Sequence, residues 1–162
     1  MQSKFLFPGV HDNIVSEFCN KCKVLKYVNN SSFKAMKWYW EEVQWAGTFI
    51  DDNLVSISGI HKFPEIDENA FRAMFRAATL PGISSKFINF QQLSLLKEWA
   101  YIQNEKAKFY VTFNIDPNIG CKSSRMLKVA KRVKLKYINS IEYFNVKQEV
   151  YLLDDNKYKY FK

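Results

Sequence analysis

The sequence predicts an α/β domain built on a mixed sheet with helices on both faces, and three observations carry that prediction. First, residues 71 to 114 run from an apolar strand, FRAMFRAATL, through Pro81-Gly82 into a long helix and out into KFYVTFN. That order makes a βαβ unit with two parallel strands and a crossover helix. Second, VQWAGTFI and LVSISGI flank the turn-forming cluster Asp51-Asp52-Asn53, so they pair as an antiparallel hairpin and the sheet is mixed. Third, 162 residues that are 48% hydrophobic, with 14 Phe, 9 Tyr and 4 Trp, suit one domain, 1–162, with a substantial core.

The elements follow in order. Residues 3 to 7 form a short first strand. Asp12 reads as the N-cap of a helix over 12 to 28, in which Ile14, Val15, Phe18, Cys19, Cys22 and Leu25 recur at helical spacing. Asn29-Asn30-Ser31-Ser32 reads as a loop, and the hairpin occupies 44 to 50 and 54 to 60. After the polar stretch HKFPEIDEN comes the βαβ unit, whose helix is capped by Ser84 or Ser85 and carries Phe87, Leu95, Leu96 and Trp99. A loop with Pro117 and Gly120 leads to a helix capped by Ser123 or Ser124, with Met126, Leu127, Ala130 and Val133 on its apolar side. Strands near 137 to 144 and 147 to 153 close the chain.

Several classes are disfavoured. MQSKFLFPGV lacks a basic segment followed by a long apolar one, and no apolar run approaches membrane-spanning length, so a cytoplasmic protein without a membrane partner is expected. Cys19-Asn20-Lys21-Cys22 has the spacing of a redox pair or half a zinc site, but helical periodicity puts both thiols at a buried face. Cys121, His11 and His61 are scattered without paired spacing, so no metal is expected and the thiols are reduced core residues.

The helix of the βαβ unit begins beside a gap between parallel strands, where unpaired N–H groups and the helix dipole favour an anion. The element order resembles the GNAT superfamily of coenzyme A-dependent N-acyltransferases, and RAATLPGISSKFINFQQLSLLKEWA resembles their segment of strand, pyrophosphate loop and helix. That resemblance implies an acyl-coenzyme A donor, in the first place acetyl-CoA, and an amine acceptor. It implies cofactor contacts from Thr79, Leu80, Gly82, Ser84, Ser85, Lys86 and Phe87, with Asn114 beside the pantetheine arm and Ser123 opening the next helix. The loop departs from the family pattern in having Gly82 alone, followed by Ser84, Ser85 and Lys86, whose hydroxyls and ammonium suit phosphate.

Acyl transfer to an amine needs a group that takes a proton from the attacking nitrogen. His61, Glu65 and Glu68 flank the entry to the central strand, where the resemblance implies such a base, with Glu65 placed ahead of His61. Against this stands the ordinary behaviour of a Glu in a polar loop and a His at a strand end, which is to be solvated. SSRMLKVAKRV lacks the Tyr that the family often uses to protonate the leaving thiolate. Tyr110 or Tyr137 then serves as acid, the thiolate leaves unaided, or the chain is a catalytically silent interaction protein.

A second signal is cationic. Lys122, Arg125, Lys128, Lys131, Arg132, Lys134 and Lys136 occur without an acid between them and hold most of the net charge of +8. Arg125, Lys128, Lys131 and Arg132 are candidates for nucleic-acid binding, against the simpler reading of a solvated helix face. FNIDPNIG, through Asp116, Pro117 and Gly120, resembles a stretch of the Mom-type phage proteins, a divergent GNAT-like branch that modifies adenine in DNA. Trp38, Tyr39, Trp40 and Trp45 suggest an aromatic wall, although core packing accounts for most of them and leaves one or two to line a site.

Overall fold

The computed structural model describes residues 1–21, 33–83, 88–115, 127, 128, 130–132, 134–143 and 145–153. Its elements are β1 (Gln2–Leu6), α1 (Asp12–Lys21), α2 (Phe33–Met36), β2 (Val43–Ile50), β3 (Asn53–Lys62), β4 (Ala70–Thr79), α3 (Ile88–Gln103), β5 (Lys108–Asn114), β6 (Tyr137–Tyr143) and β7 (Val146–Leu152). The strands form one seven-stranded sheet in the order β1-β2-β3-β4-β5-β7-β6. Among these described strands only the β4–β5 pair is parallel; every other neighbour is antiparallel. The mixed sheet and the βαβ unit are therefore as the sequence predicts.

Helices pack on both faces. On one side Val15, Phe18 and Cys19 of α1 join Met36, Trp38, Trp45, Phe49, Ile57 and Phe75 in a buried cluster. On the other, Leu93, Leu96 and Ala100 of α3 pack against Ile60, Phe71, Ala73, Phe109, Val111 and Phe113. Burying each of the larger of these side chains stabilises the fold by about 2 kcal/mol. Ala130 and Leu135 join the α3 side, so the helical residues 127, 128 and 130–132 bury one face as their amphipathic pattern requires.

One local expectation changes. Asp12 does not cap its own helix. Its carboxylate accepts hydrogen bonds from Gly9 N (2.8 Å), Trp38 Nε1 (2.7 Å) and Tyr39 OH (2.7 Å), tying the start of α1 to the turn after α2. These three donors hold the Asp12 carboxyl below its usual range, Trp38 most of all. Residues 37 to 39 are a turn: α2 ends at Met36, Lys37 takes φ 64 and Trp38 N reaches back to Phe33 O at 2.9 Å. Trp38 and Trp45 are core, whereas Tyr39 is 55% exposed. Cys19 is buried with Sγ 3.2 Å from Met36 Sδ. Cys22, Cys121 and residues 22 to 32 lie outside the described residues.

The strand β4 is irregular, and its irregularity decides which side chains reach each face of the sheet. His61 pairs with Arg72, Gly59 with Phe75 and Ile57 with Ala78, so each step of two residues along β3 meets three along β4. Two single-residue bulges result, with Met74 (φ 56) and Arg76 (φ 51) in the left-handed region that L-residues seldom adopt. Gly59 sits opposite them. A Cβ there would come within 2.7 Å of Val43 Cγ1 and 3.0 Å of the Trp45 ring, so only glycine admits this packing.

Candidate active site

β4 and β5 touch at one end and separate at the other. Their ladder consists of Ala70↔Lys108, Phe71↔Phe109 and Arg72↔Tyr110, while β4 continues to Thr79 and β5 to Asn114. Beyond Arg72 and Tyr110 the facing backbone edges have no strand between them. This leaves an opening in the middle of the sheet whose edges can accept an extended, amide-bearing ligand.

At the closed end, the side chains on the α1/α2 face meet across three strands. Arg72 donates through a terminal guanidinium nitrogen to Gln148 Oε1 at 2.9 Å, joining β4 to β7. Its charge also lies 5.1 Å above the Phe75 ring, which carries Arg76 at 5.5 Å as well. His61 is 1% exposed, with Phe75 edge-on at 4.9 Å between ring centroids, Trp40 at 5.1 Å and Phe63 at 6.2 Å. The His61 Nδ1 lies 2.7 Å from the Lys62 carbonyl oxygen, which can only accept, so Nδ1 carries the proton and Nε2 keeps its lone pair. Burial, aided by the Arg72 charge, pulls the imidazole down to about 4 against the backbone hydrogen bond, which acts upward. The ring is neutral at physiological pH.

On β5, Tyr110 and Thr112 line the same face. The Tyr110 hydroxyl donates to Asp67 Oδ2 at 3.3 Å, and burial followed by the Asp67 charge raises it above the usual phenol range. Its proton is thus committed to the carboxylate. The Thr112 hydroxyl is buried and has no hydrogen-bond partner among the described residues. Tyr137, the other tyrosine named as acid, is half exposed and shares a 2.8 Å hydrogen bond with Ser140.

The sequence-derived site residues divide accordingly. His61 and Tyr110 come to the closed end of the opening, and His61 is buried rather than the solvated strand-end residue the sequence expects. Glu65 and Glu68 are exposed in the turn between Phe63 and Asn69. Thr79 and Leu80 end β4, Thr79 sharing a 2.9 Å hydrogen bond with Ser56. Leu80-Pro81-Gly82-Ile83 is a turn closed by Ile83 N to Leu80 O at 3.3 Å, with Gly82 at φ 83 in the position where a type II turn demands glycine. Asn114 ends β5 opposite Gln148. Ser84, Ser85, Lys86, Phe87, Ser123, Arg125, Asp116, Pro117 and Gly120 lie outside the described residues. Lys128, Lys131 and Arg132 are exposed, on the helix that packs on the α3 side.

Sequence reasoning missed Arg72, Gln148 and Phe75. A signal for the first was available: two arginines, Arg72 and Arg76, inside an otherwise apolar strand. Buried guanidinium groups need acceptors. Among the described residues no three His, Cys, Asp or Glu side chains cluster as a metal site would require, and no helix is long and apolar enough to cross a membrane.

By sequence the chain matches no protein-family model and no characterised protein. Solved structures share its backbone. An aminoglycoside 6'-N-acetyltransferase complexed with coenzyme A superposes with a TM-score of 0.65 at 10% identity, over 94% of this chain and 96% of its own. An N-acetyltransferase from Staphylococcus aureus gives 0.61 at 9% identity, over 95% and 99%. A protein from Desulfovibrio desulfuricans assigned to the GNAT acetyltransferases gives 0.62 at 9%, over 94% and 98%. The chain has the GNAT fold.

Proposed function

We propose that this chain transfers an acyl group, in the first place acetyl, from coenzyme A to an amine. One observation carries the reading: the β4–β5 pair is held by three residue pairs and then opens, directly before the turn and helix where a diphosphate is best received. The neighbour with coenzyme A bound supports a donor of this class. In this reading the amide-rich arm of the donor lies between the unpaired edges of β4 and β5. Its phosphates meet the Pro81-Gly82 turn and the start of α3; Ser84, Ser85 and Lys86 are the phosphate-suited residues the sequence places between them. Asn114 and Thr112 flank the arm from β5.

The chemistry then needs little more than position and one proton path. The amine nitrogen attacks the thioester carbonyl, a C–N bond forms and the C–S bond breaks; the amine loses a proton and the departing thiolate gains one. We assign the accepting lone pair to His61 Nε2, reached through water because the ring is buried. Glu65, in solvent, is the alternative base. Arg72 and Arg76 supply positive charge beside the carbonyl and thiolate as negative charge develops. Tyr110, its hydroxyl donating to Asp67, acts in positioning the closed end.

The test is calorimetry with acetyl-coenzyme A. Gly82→Val, which forces a branched side chain into a left-handed turn, should weaken binding by about tenfold or more, whereas Ser94→Ala, exposed on α3, should leave it unchanged. No heat with any acyl-coenzyme A, or equal effects of the two changes, refutes the proposal.

A nucleic-acid reading on the same fold rests on a different observation, the exposure of Lys128, Lys131, Arg132, Lys134 and Lys136 along one helix and its exit. Those cations stand on the α3 side of the sheet, opposite His61 and Trp40. A polyanion held there would not deliver a base to the α1/α2 side. The acyltransferase reading is therefore preferred with a small acceptor.

A further inference from the structure

The α1/α2 side holds a groove of about 530 Å³ lined by Phe33, Lys34, Lys37, Tyr39 and Trp40. Its aromatic walls are tied to neighbouring side chains. Tyr39 is pinned through its hydroxyl to Asp12 and packs edge-on against Phe33 at 5.3 Å between centroids. Trp40 forms the inner wall, its ring 5.1 Å from His61 and 5.9 Å from Phe75, so the groove ends against the cluster at the closed end of the opening. Among the described lining residues the charged side chains are Lys34 and Lys37. Glu41 and Glu42, which follow Trp40, are exposed and do not line it. Asp12 has both oxygens engaged by Gly9, Trp38 and Tyr39.

Resting on the acyltransferase reading above, we propose that this groove is the acceptor site and that it selects an amine carrying a planar ring and an anionic group. Flat apolar walls favour the ring. Lys34 favours the anion and opposes a polycation, so an aminoglycoside, the substrate class of a structural neighbour, is rejected by charge. The acceptor's amine would then point past Trp40 toward His61.

Calorimetry on the protein without coenzyme A separates this proposal from acyl transfer itself. The probes are tyrosine, tyramine, which lacks only the carboxylate, kanamycin and a short single-stranded oligonucleotide. Tyrosine should bind about fivefold tighter than tyramine, and kanamycin should not bind. Lys34→Glu should abolish or invert that preference and Lys34→Gln should reduce it. Lys106→Glu, an equal change of net charge on the exposed turn after α3, should leave it intact. Tyramine or kanamycin binding as well as tyrosine, a preference unmoved by Lys34→Glu, no binding of tyrosine, or Lys34-dependent binding of the oligonucleotide in its place would each overturn the proposal. If tyrosine binds as expected and the protein gives no heat with any acyl-coenzyme A, the groove's preference for a ring-bearing anion stands and the acyltransferase reading falls.

Discussion

The two parts of the sheet differ in how they are held. From β1 to β4 the ladders are long and antiparallel, and α3 is fastened to this part by a buried polar chain: Ser58 to Gln92 at 2.8 Å, Gln92 to Thr48 at 2.9 Å and Thr48 to Ser3 at 2.7 Å. Beyond the seam β5, β7 and β6 form a second antiparallel set, with one register shift between Tyr137 and Asn139. Between them stand three parallel pairs and the Arg72–Gln148 hydrogen bond. Two well-made pieces joined at one end produce an opening without a loop to form it. The protein locates its opening by leaving strands unpaired, and everything around that edge must compensate.

The largest way to test that contrast is acid. His61 lies where the first part meets the seam, and its pKa of about 4 stands below the ordinary 6.5, so between those values the unfolded chain binds more protons than the folded one. Stability is complete above about pH 6.5 and is lost as pH falls through about 4, by about 3 kcal/mol in all. Urea titrations of wild type and His61→Phe at about pH 7 and about pH 4.5 measure it, and the variant should lose less on acidification. Equal losses would show that the aromatic cluster does not enforce neutrality on the ring.

A smaller effect reports the seam itself. In a double-mutant cycle, Arg72→Met and Gln148→Leu should each destabilise the fold and the pair together by less than their sum, with a coupling of about 2 kcal/mol. Additive losses would mean that this hydrogen bond does not couple the two parts. The smallest effect lies away from the seam. Reversing Lys128, Lys131 and Arg132 to Glu should change stability by no more than about 0.5 kcal/mol, because each is exposed. The same triple variant decides whether that face holds a polyanion: if it does, wild-type affinity for duplex DNA falls steeply with salt and the variant loses both affinity and slope.

Much of this architecture was legible because the period of the pattern was regular. KFYVTFN alternates and is a strand over the residues the pattern marks, and the hairpin turns at Asp51-Asp52 as its composition demands. The exceptions have separate causes. Alternation in FRAMFRAAT would put Phe71, Ala73 and Phe75 together on one face, yet Phe71 and Ala73 pack under α3 while Phe75 packs with Trp45 on the other side. Bulges change the phase of a strand, and no local composition announces them when Met and Arg rather than Gly take the left-handed positions. His61 reads as solvated because it stands at a strand end, yet its burial is set by Trp40 and Phe75, which reach it by tertiary routes that local sequence does not encode. The groove residues were visible as an aromatic run, but the turn at Lys37 that separates core Trp38 from exposed Tyr39 depends on one backbone angle.

The paired bulges also set rules for insertion and deletion in β4. Each adds one residue, and each reverses which face the chain presents; because there are two, Thr79 returns to the α3 side that Phe71 left, and pairs there with Ser56. In a coding sequence, losing the codon for one extra residue would send the end of β4, with the Pro81-Gly82 turn behind it, out on the wrong side of the sheet. Losing both would restore the faces while withdrawing Phe75 from His61. Lineages carrying this fold could therefore shorten β4 in twos without losing the helix beyond it, but only by dismantling the cluster at the closed end.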